Sequence, residues 1–413
     1  MAQDHGLELP TVVIVGCGFG GLNAARALRR APVNVLLLDR NNYHLFQPLL
    51  YQVATAGLEP EEIARPVRAI LRKQKNFDFR LVEVKSVDFA QRRLETSAGP
   101  VAYDFLILSH GSETNFFGLD SMQRYGLGLK DIPDAIRVRN RVLTSFEQAM
   151  LETDPERRRA MLTFIVVGGG PTGVEMAGAL SELIRLVLVK DYPRLNIKDV
   201  RILLLEATDK ILAAMPERLR EAAVKTLWRK WIDVRFNAVV AGFDGELVRL
   251  KSGEVIPART VIWAAGVKAR PLVGPPGEGR VRVQPTLQHP EYPEVYIIGD
   301  AASLEENGHP LAMVAPVAIQ MGRHAARNIR HALRGESLAP FRYRDQGTLA
   351  TIGRNAAVAD VYGVKATGFL AWVMWLGIHI VQLIGFRNKL FVLLNWAWDY
   401  FFYERAARLI TRD

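Results

Sequence analysis

The 413-residue chain contains a single cysteine, Cys17. No internal disulfide is possible, and neither a CxxC zinc motif nor a redox-active cysteine pair can exist. Dithiol electron chemistry is thereby excluded. Cys17 sits inside a glycine-rich turn, where a small packing residue is the favoured reading over a reactive thiol. The opening residues MAQDHGLELP lack an apolar stretch long enough for a secretory signal, so the bulk of the chain is expected in the cytoplasm. A basic or acidic tail is missing as well: the net charge of +10 is spread over clusters such as RVRNR and ERRRA. Such clusters read as solvated helix faces or as attraction to anionic lipid, and nucleic acid is not an expected partner.

What is present is ample for two or three domains, and 49% hydrophobic and 23% charged residues suit an α/β protein. The run TVVIVG reads as a buried parallel strand and GLNAARALRR as a helix. Between them Gly16, Gly18 and Gly21 have GxGxxG spacing: a tight turn, a close backbone approach to a pyrophosphate, and close helix–strand packing. The next strand, VNVLLLDR, ends in Asp39, where a carboxylate takes the ribose hydroxyls of an adenosine half. A first βαβ unit opening at residue 12 suits FAD, and EVYIIGDAAS ends a later strand in Gly299 and Asp300, placed for the ribityl and phosphate region. Two other strand ends belong here, near Ser109 and Gly111, and at Val84, whose backbone is available to the adenine.

The stretch FIVVGGGPTGVEMAGAL repeats the pattern with Gly168, Gly170 and Gly173, and with Pro171 and Thr172 in the turn. Further on, VRILLLEA ends in Glu206, which favours NADH over NADPH by binding ribose hydroxyls and repelling a 2′-phosphate. TVIWAAGV, with Gly266, closes this second region. Two complete fingerprints imply a donor and an acceptor dinucleotide, and hence hydride transfer from nicotinamide C4 to flavin N5, which needs orientation and water exclusion more than acid or base.

Between the two turns lies NYHLFQPLLYQVATAGLEPEEIARPVRAIL, which propensity reads as an aromatic loop and a basic helix. Together with both glycine turns, IGDAAS, VAPVAIQMG and GTLATIGRNAAVAD, it closely resembles the type II NADH:quinone oxidoreductases, single-subunit respiratory NADH dehydrogenases that do not pump protons. The resemblance spans essentially the whole chain. It implies FAD contacts at Gly18, Phe19, Gly20, Gly21, Leu22, Asp39, Arg40, Val84 and Asp300, with the backbone of Ala315 and Pro316 beneath the ring. It implies NADH contacts at Gly170, Pro171, Thr172, Glu175 and Glu206. The family's AQxxxQ quinone motif reads here as Ala315 to Gln320: Gln320 is retained beside Ile319, and Pro316 replaces the first glutamine. The lysine that some relatives carry early in the C-terminal helical region has no counterpart in 369–386.

That segment, FLAWVMWLGIHIVQLIGF, is eighteen residues without a charge, the lower limit for a membrane span. LFVLLNWAWDYFFY follows and contains Asp399. Four Trp with Phe and Tyr, bordered by Arg387, Lys389, Arg405, Arg408 and Arg412, suit a headgroup boundary. A helical pair lying in one leaflet, a span or hairpin, and a buried dimer interface all remain open; the first agrees with the resemblance. His379 is placed to hydrogen-bond a quinone carbonyl, although a satisfied structural histidine is the favoured reading, as for His44 and His110.

The expected fold is therefore α/β: two Rossmann-like dinucleotide-binding domains of the glutathione-reductase type and a C-terminal helical membrane-association module. The expected boundaries are 1–115 and 280–335 for the FAD domain, 116–279 for the NADH domain and 336–413 for the module. The expected activity is a FAD-dependent, metal-free oxidation of NADH by ubiquinone or menaquinone, by a homodimer resting monotopically on the inner face of the cytoplasmic membrane. Glu175 is the candidate for proton handling or substrate ordering; as a first-turn acid it would merely complement the helix dipole, and helix field and burial push its pKa in opposite directions. The alternative is an NADH-dependent reductase or redox-sensing flavoprotein with another acceptor. Sulfide:quinone oxidoreductases and disulfide reductases need cysteines this chain lacks.

Overall fold

Two runs of β-branched and aliphatic residues, Thr11–Val15 and Thr163–Val167, each become the middle strand of a five-stranded parallel sheet. Strands covered on both faces need such continuous apolar sequence. In the computed structural model, which describes residues 9–272, 279–306, 308–402, 405 and 407–411, the chain forms two compact units. One comprises Met1–Leu45, Ala64–Glu113 and Val267–Asp345, the other Phe46–Ile63, Thr114–Gly266 and Gln346–Asp413.

In the first unit the strand order is Val295–Ile297, Phe105–Leu108, Thr11–Val15, Asn34–Asp39, Phe77–Leu81. Val12, Val13, Ile14, Leu37 and Leu106 are fully buried in it. The helix Phe19–Ala27 leaves the first strand and packs on the helix Ala315–Ala332. The approach is close enough that a Cβ on Gly322 would stand 2.2 Å from the Gly20 carbonyl oxygen. A three-stranded antiparallel meander, Val84–Asp88, Arg93–Thr96 and Gly99–Ala102, completes this half.

The second unit repeats the scheme. Its parallel sheet runs Leu127–Gly128, Thr260–Trp263, Thr163–Val167, Arg201–Leu205, Ile232–Arg235, and its meander is Val240–Phe243, Leu247–Leu250 and Val255–Pro257. The helix Pro171–Glu182 follows the middle strand and runs into a π-helical segment, Leu183–Leu188. The C-terminal part opens not with a helix but with an antiparallel sheet, Thr348–Thr351, Ala357–Val361 and Val364–Thr367, before the helices Gly368–Gln382 and Phe386–Phe402. The first of these helices has 15 residues, about 22 Å at 1.5 Å per residue, against a hydrocarbon core of about 30 Å. No helix among the described residues is long and apolar enough to cross a membrane.

Two sequence readings change here. The block 42–71 is not a loop and a basic helix but a short strand pair, Tyr43–Leu45 with Ala64–Pro66, and several one-turn helices, because Phe46, Leu49, Leu50, Tyr51 and Val53 are buried. The C-terminal tryptophans do not all border on solvent: Trp375 is 1% exposed, whereas Trp398 is 53% exposed. Of the flanking cations, Arg405 is turned inward to donate to the Thr55 carbonyl oxygen at 2.6 Å, and Arg408 pairs with Asp191. Arg412 and Tyr403 lie outside the described residues.

Candidate active site

The first glycine turn separates packing from ligand approach. Gly16 has φ +95°, and a Cβ there would lie 2.4 Å from the Ser109 carbonyl oxygen. A Cβ on Gly21 would lie 1.9 Å from the Gly16 carbonyl oxygen, whereas one on Gly18 meets nothing within 4 Å. The outer two glycines are thus required by the protein itself, and the middle one leaves its backbone open to a ligand. Asp39 is locked beneath the turn, accepting from the Cys17 N–H at 2.6 Å and the Asn41 N–H at 2.7 Å. Burial pushes its carboxyl up, and these two bonds pull it down.

The other expected FAD residues of this unit play different parts. Ser109 donates its hydroxyl to the carbonyls of Val15 (2.7 Å) and Gly16 (3.0 Å), so its side chain clamps the turn. Gly20 and Leu22 are buried in packing and Phe19 is half-buried, with its ring edge-on to His44 at 5.2 Å. Arg40 is exposed, and Val84 opens the meander opposite Thr96. Gly111 accepts from the Arg270 N–H, and Asp300 accepts from the Ser112 hydroxyl. Ala315 and Pro316 form the first turn of their helix. The residues fit a bound FAD by a test of the structure itself: beside the open Gly18, His44 is buried with Nδ1 on the Cys17 carbonyl and Nε2 without a hydrogen-bond partner among the described residues. Burial holds His44 and His110 near pKa 4, neutral at pH 7. It also pushes the Cys17 thiol up, leaving it unreactive. No group of side chains among the described residues could hold a metal.

The second turn follows the same plan. Gly168 has φ +110°, and a Cβ on it would meet the Ala264 carbonyl at 2.6 Å; one on Gly173 would meet the Gly168 carbonyl at 1.8 Å; one on Gly170 meets nothing within 4 Å. Glu206 accepts from the Gly169 N–H at 2.6 Å and from the Thr208 N–H and hydroxyl at 2.8 Å. Pro171 and Thr172 are exposed in the first helical turn, and Gly266 closes the region by accepting from the Asn115 N–H at 3.0 Å.

Glu175 sits one turn into this helix but does not face solvent. Its carboxylate accepts from the Trp375 indole N–H at 3.1 Å and from the Thr351 N–H at 3.4 Å. Burial raises its pKa to about 8 against those two lowering bonds, so desolvation outweighs the helix field and the group is largely protonated at pH 7. One helix face, Glu175, Gly178 and Glu182, packs on the 351–354 turn: a Cβ on Gly178 would stand 2.7 Å from Ile352 backbone, and Glu182 accepts from the Arg354 N–H at 2.6 Å. Glu182 also pairs with Lys230 at 2.7 Å and Arg405 at 3.7 Å.

The three expected quinone residues divide between the units, Ile319 and Gln320 in the first and His379 in the second. The Gln320 amide is spent at both ends on the Arg344 backbone, at 2.9 and 3.0 Å, and Ile319 is half-buried. His379 is buried, places Nδ1 2.7 Å from the Trp375 carbonyl oxygen and stacks on that indole at 4.1 Å; burial lowers its pKa to about 4. Sequence reasoning missed Trp375, Thr351, Tyr51 and Glu182. The available signal was the i, i+4 spacing of Trp375 and His379, which puts both on one helix face.

The fold and the two acid-locked glycine turns define a flavin-dependent oxidoreductase linked to pyridine nucleotides. A family model described as pyridine nucleotide-disulphide oxidoreductase matches residues 10–322, and one described as NDH2 C-terminal domain matches 346–404. The type II NADH:quinone oxidoreductase Ndh of Mycobacterium tuberculosis is 40% identical over 420 residues, covering 97% of this chain and 90% of that protein. A type II NADH:quinone oxidoreductase of Staphylococcus saprophyticus is 30% identical over 381 residues, covering 89% and 92%. Among solved structures, NDH2 from Plasmodium falciparum in complex with NADH has a TM-score of 0.90 at 19% identity, covering 98% of this chain and 100% of that one, a likeness of fold. The chain belongs to the type II NADH:quinone oxidoreductases.

Proposed function

We propose that this chain oxidises NADH and reduces a lipid quinone, ubiquinone or menaquinone, to quinol without pumping protons. The observation that carries the reading is the pair of turns, each with its acid tied to the loop and one glycine open. FAD, held by Gly16, Gly18, Gly21, Asp39 and the backbone near Ala315, supplies hydride acceptance and onward electron transfer when bound. NADH is held by Gly168, Gly170, Pro171, Thr172, Gly173 and the backbone near Gly266, with Glu206 selecting against the 2′-phosphate of NADPH. Glu175, protonated at neutral pH, is the proton donor in quinone reduction, and Gln320, Ile319 and His379 are the candidate acceptor-site residues. The domain scheme of 1–115 with 280–335, 116–279 and 336–413 is retained as the functional division. Supporting a bilayer surface on the cytoplasmic side are the exposed Val381, Phe386, Leu394 and Phe401 of the C-terminal helices. A homodimer is proposed from the family alone.

Steady-state NADH oxidation by the FAD-loaded protein, with and without a soluble quinone, tests the reading. Quinone is expected to stimulate turnover strongly, NADH to be preferred over NADPH, and Glu206→Ala to weaken that preference. Turnover indifferent to quinone would instead support the redox-sensing alternative.

A further inference from the structure

We propose that Asp399, with the cavity it faces in the second unit, forms the route by which protons reach Glu175. The inference rests on the reading that Glu175 donates a proton during quinone reduction. Glu175 is 7% exposed, and its two donors, Trp375 and Thr351, both line the cavity. A proton given up there cannot be replaced directly from bulk water.

The cavity measures about 110 Å³. A water requires roughly 10–15 Å³ of such space and two to four polar partners, so several fit. Tyr51 and Gln52 line its inner part, joined by a 2.9 Å hydrogen bond from the Gln52 amide to the Tyr51 hydroxyl, and Gln52 in turn accepts from the Trp396 indole at 2.8 Å. Tyr51 is close enough to Glu175 for that carboxylate to disfavour its ionisation, and burial acts the same way, so the phenol stays neutral and can relay. Asp399 lies on another wall. It is half-buried, and among the described residues its carboxylate has neither a hydrogen-bond donor nor an ion pair. An acid that serves to keep an apolar helix soluble would be exposed; this one faces a cavity bounded by Trp375, Trp396 and Tyr400. Arg405 and Arg354 face it and favour its charge, Glu62 and Glu182 oppose it, and burial dominates, raising its pKa to about 7. A group so poised both holds and releases a proton near neutrality.

In the step, the Asp399 carboxylic acid yields its proton to a hydrogen-bonded chain in the cavity, and the Glu175 carboxylate takes one from the far end. The Asp399 carboxylate is then reprotonated from solvent, and no electrons move.

The test uses the FAD-loaded full chain with Asp399→Asn, Asp399→Glu and Glu175→Gln, with flavin absorbance and melting temperature confirming folding. Infrared spectroscopy follows the carbonyl stretch of the protonated Glu175 carboxyl, assigned by its loss in Glu175→Gln, after transfer to D₂O. Asp399→Asn is expected to slow that exchange and the quinone half-reaction about tenfold or more, leave the NADH half-reaction unchanged, and be partly rescued by added imidazole. Asp399→Glu is expected to stay near wild type. Wild-type exchange and quinone rates in Asp399→Asn, with Glu175→Gln slow, would overturn the route and leave the Glu175 reading standing. A wild-type quinone rate in Glu175→Gln would instead remove the Glu175 reading beneath it.

Discussion

A carboxyl group that stays neutral at pH 7 leaves a thermodynamic signature. The unfolded chain titrates Glu175 near 4.5 and the folded chain at about 8. Between those values the folded state holds a proton that the unfolded state has lost, so this residue makes stability fall as pH rises across that window. The penalty is on the order of 3 kcal/mol at pH 7 and complete above the folded pKa. Glu175→Gln cannot titrate, and its carbonyl accepts the same bonds from Trp375 and Thr351. The variant is expected to melt with wild type near pH 4.5 and on the order of 5–10 °C above it at pH 8. Equal melting at both pH values in a calorimetric series would mean that the folded protein carries Glu175 ionised. The residue was legible in the sequence as an acid inside a helix. Its protonation was not, because the groups that bury and hold it come from 176 and 200 residues away. Asp39 and Glu206, by contrast, were legible to the position, since each needs only a strand end one βαβ unit after its glycine turn.

Elements show the same division between local and distant causes. The two glycine turns and their helices are local, and the sequence spacing places them; the structure adds which glycine does what. Gly173→Ala drives a methyl into the Gly168 carbonyl at 1.8 Å, with no flexible side chain to yield. It is expected to cost several kcal/mol and to lower the melting temperature sharply. Gly170→Ala meets no protein atom within 4 Å. It is expected to fold and retain FAD at wild-type occupancy while raising the KM for NADH, because the methyl stands where the backbone approaches the ligand. If Gly170→Ala bound NADH normally, the second turn would not be its cradle. The π-helical Leu183–Leu188 and the sheet at Thr348–Val361 had no such local code. Glu182 sits where the helix changes form, held by Lys230 and by the Arg354 backbone, and the 351–354 turn that supplies the latter contact must first pack against Gly178. Those conditions are set by pairings between distant segments, which periodicity along one segment does not register.

At the scale of the whole molecule, charge and exposed apolar surface decide where it works. A net charge of +10 favours anionic surfaces at low ionic strength. The apolar contribution comes from a narrower set of residues than the sequence suggested, since Trp375 and Arg405 are spent inside the fold and Arg408 on Asp191. Among those left outward are Val381, Phe386 and Phe401, at 71%, 82% and 72% exposure, with the exposed Arg387 placed over the Phe391 ring at 5.2 Å. Truncating the chain before these helices would remove Trp375 along with them and confuse docking with folding. Replacing Val381, Phe386 and Phe401 together by serine touches surface alone. Each side chain is worth about 1.5–3 kcal/mol when fully withdrawn from water, and burial at a lipid interface is partial, so the triple variant is expected to lose roughly 100-fold in vesicle partitioning. Co-sedimentation with vesicles of mixed zwitterionic and anionic lipid measures this directly. The loss is expected to persist at high salt, where a charge-driven contribution is screened, while NADH oxidation with a water-soluble acceptor stays at the wild-type rate. Unchanged partitioning of the triple variant would mean that another surface meets the lipid, and the quinone would then have to be reached from a different face of the second unit.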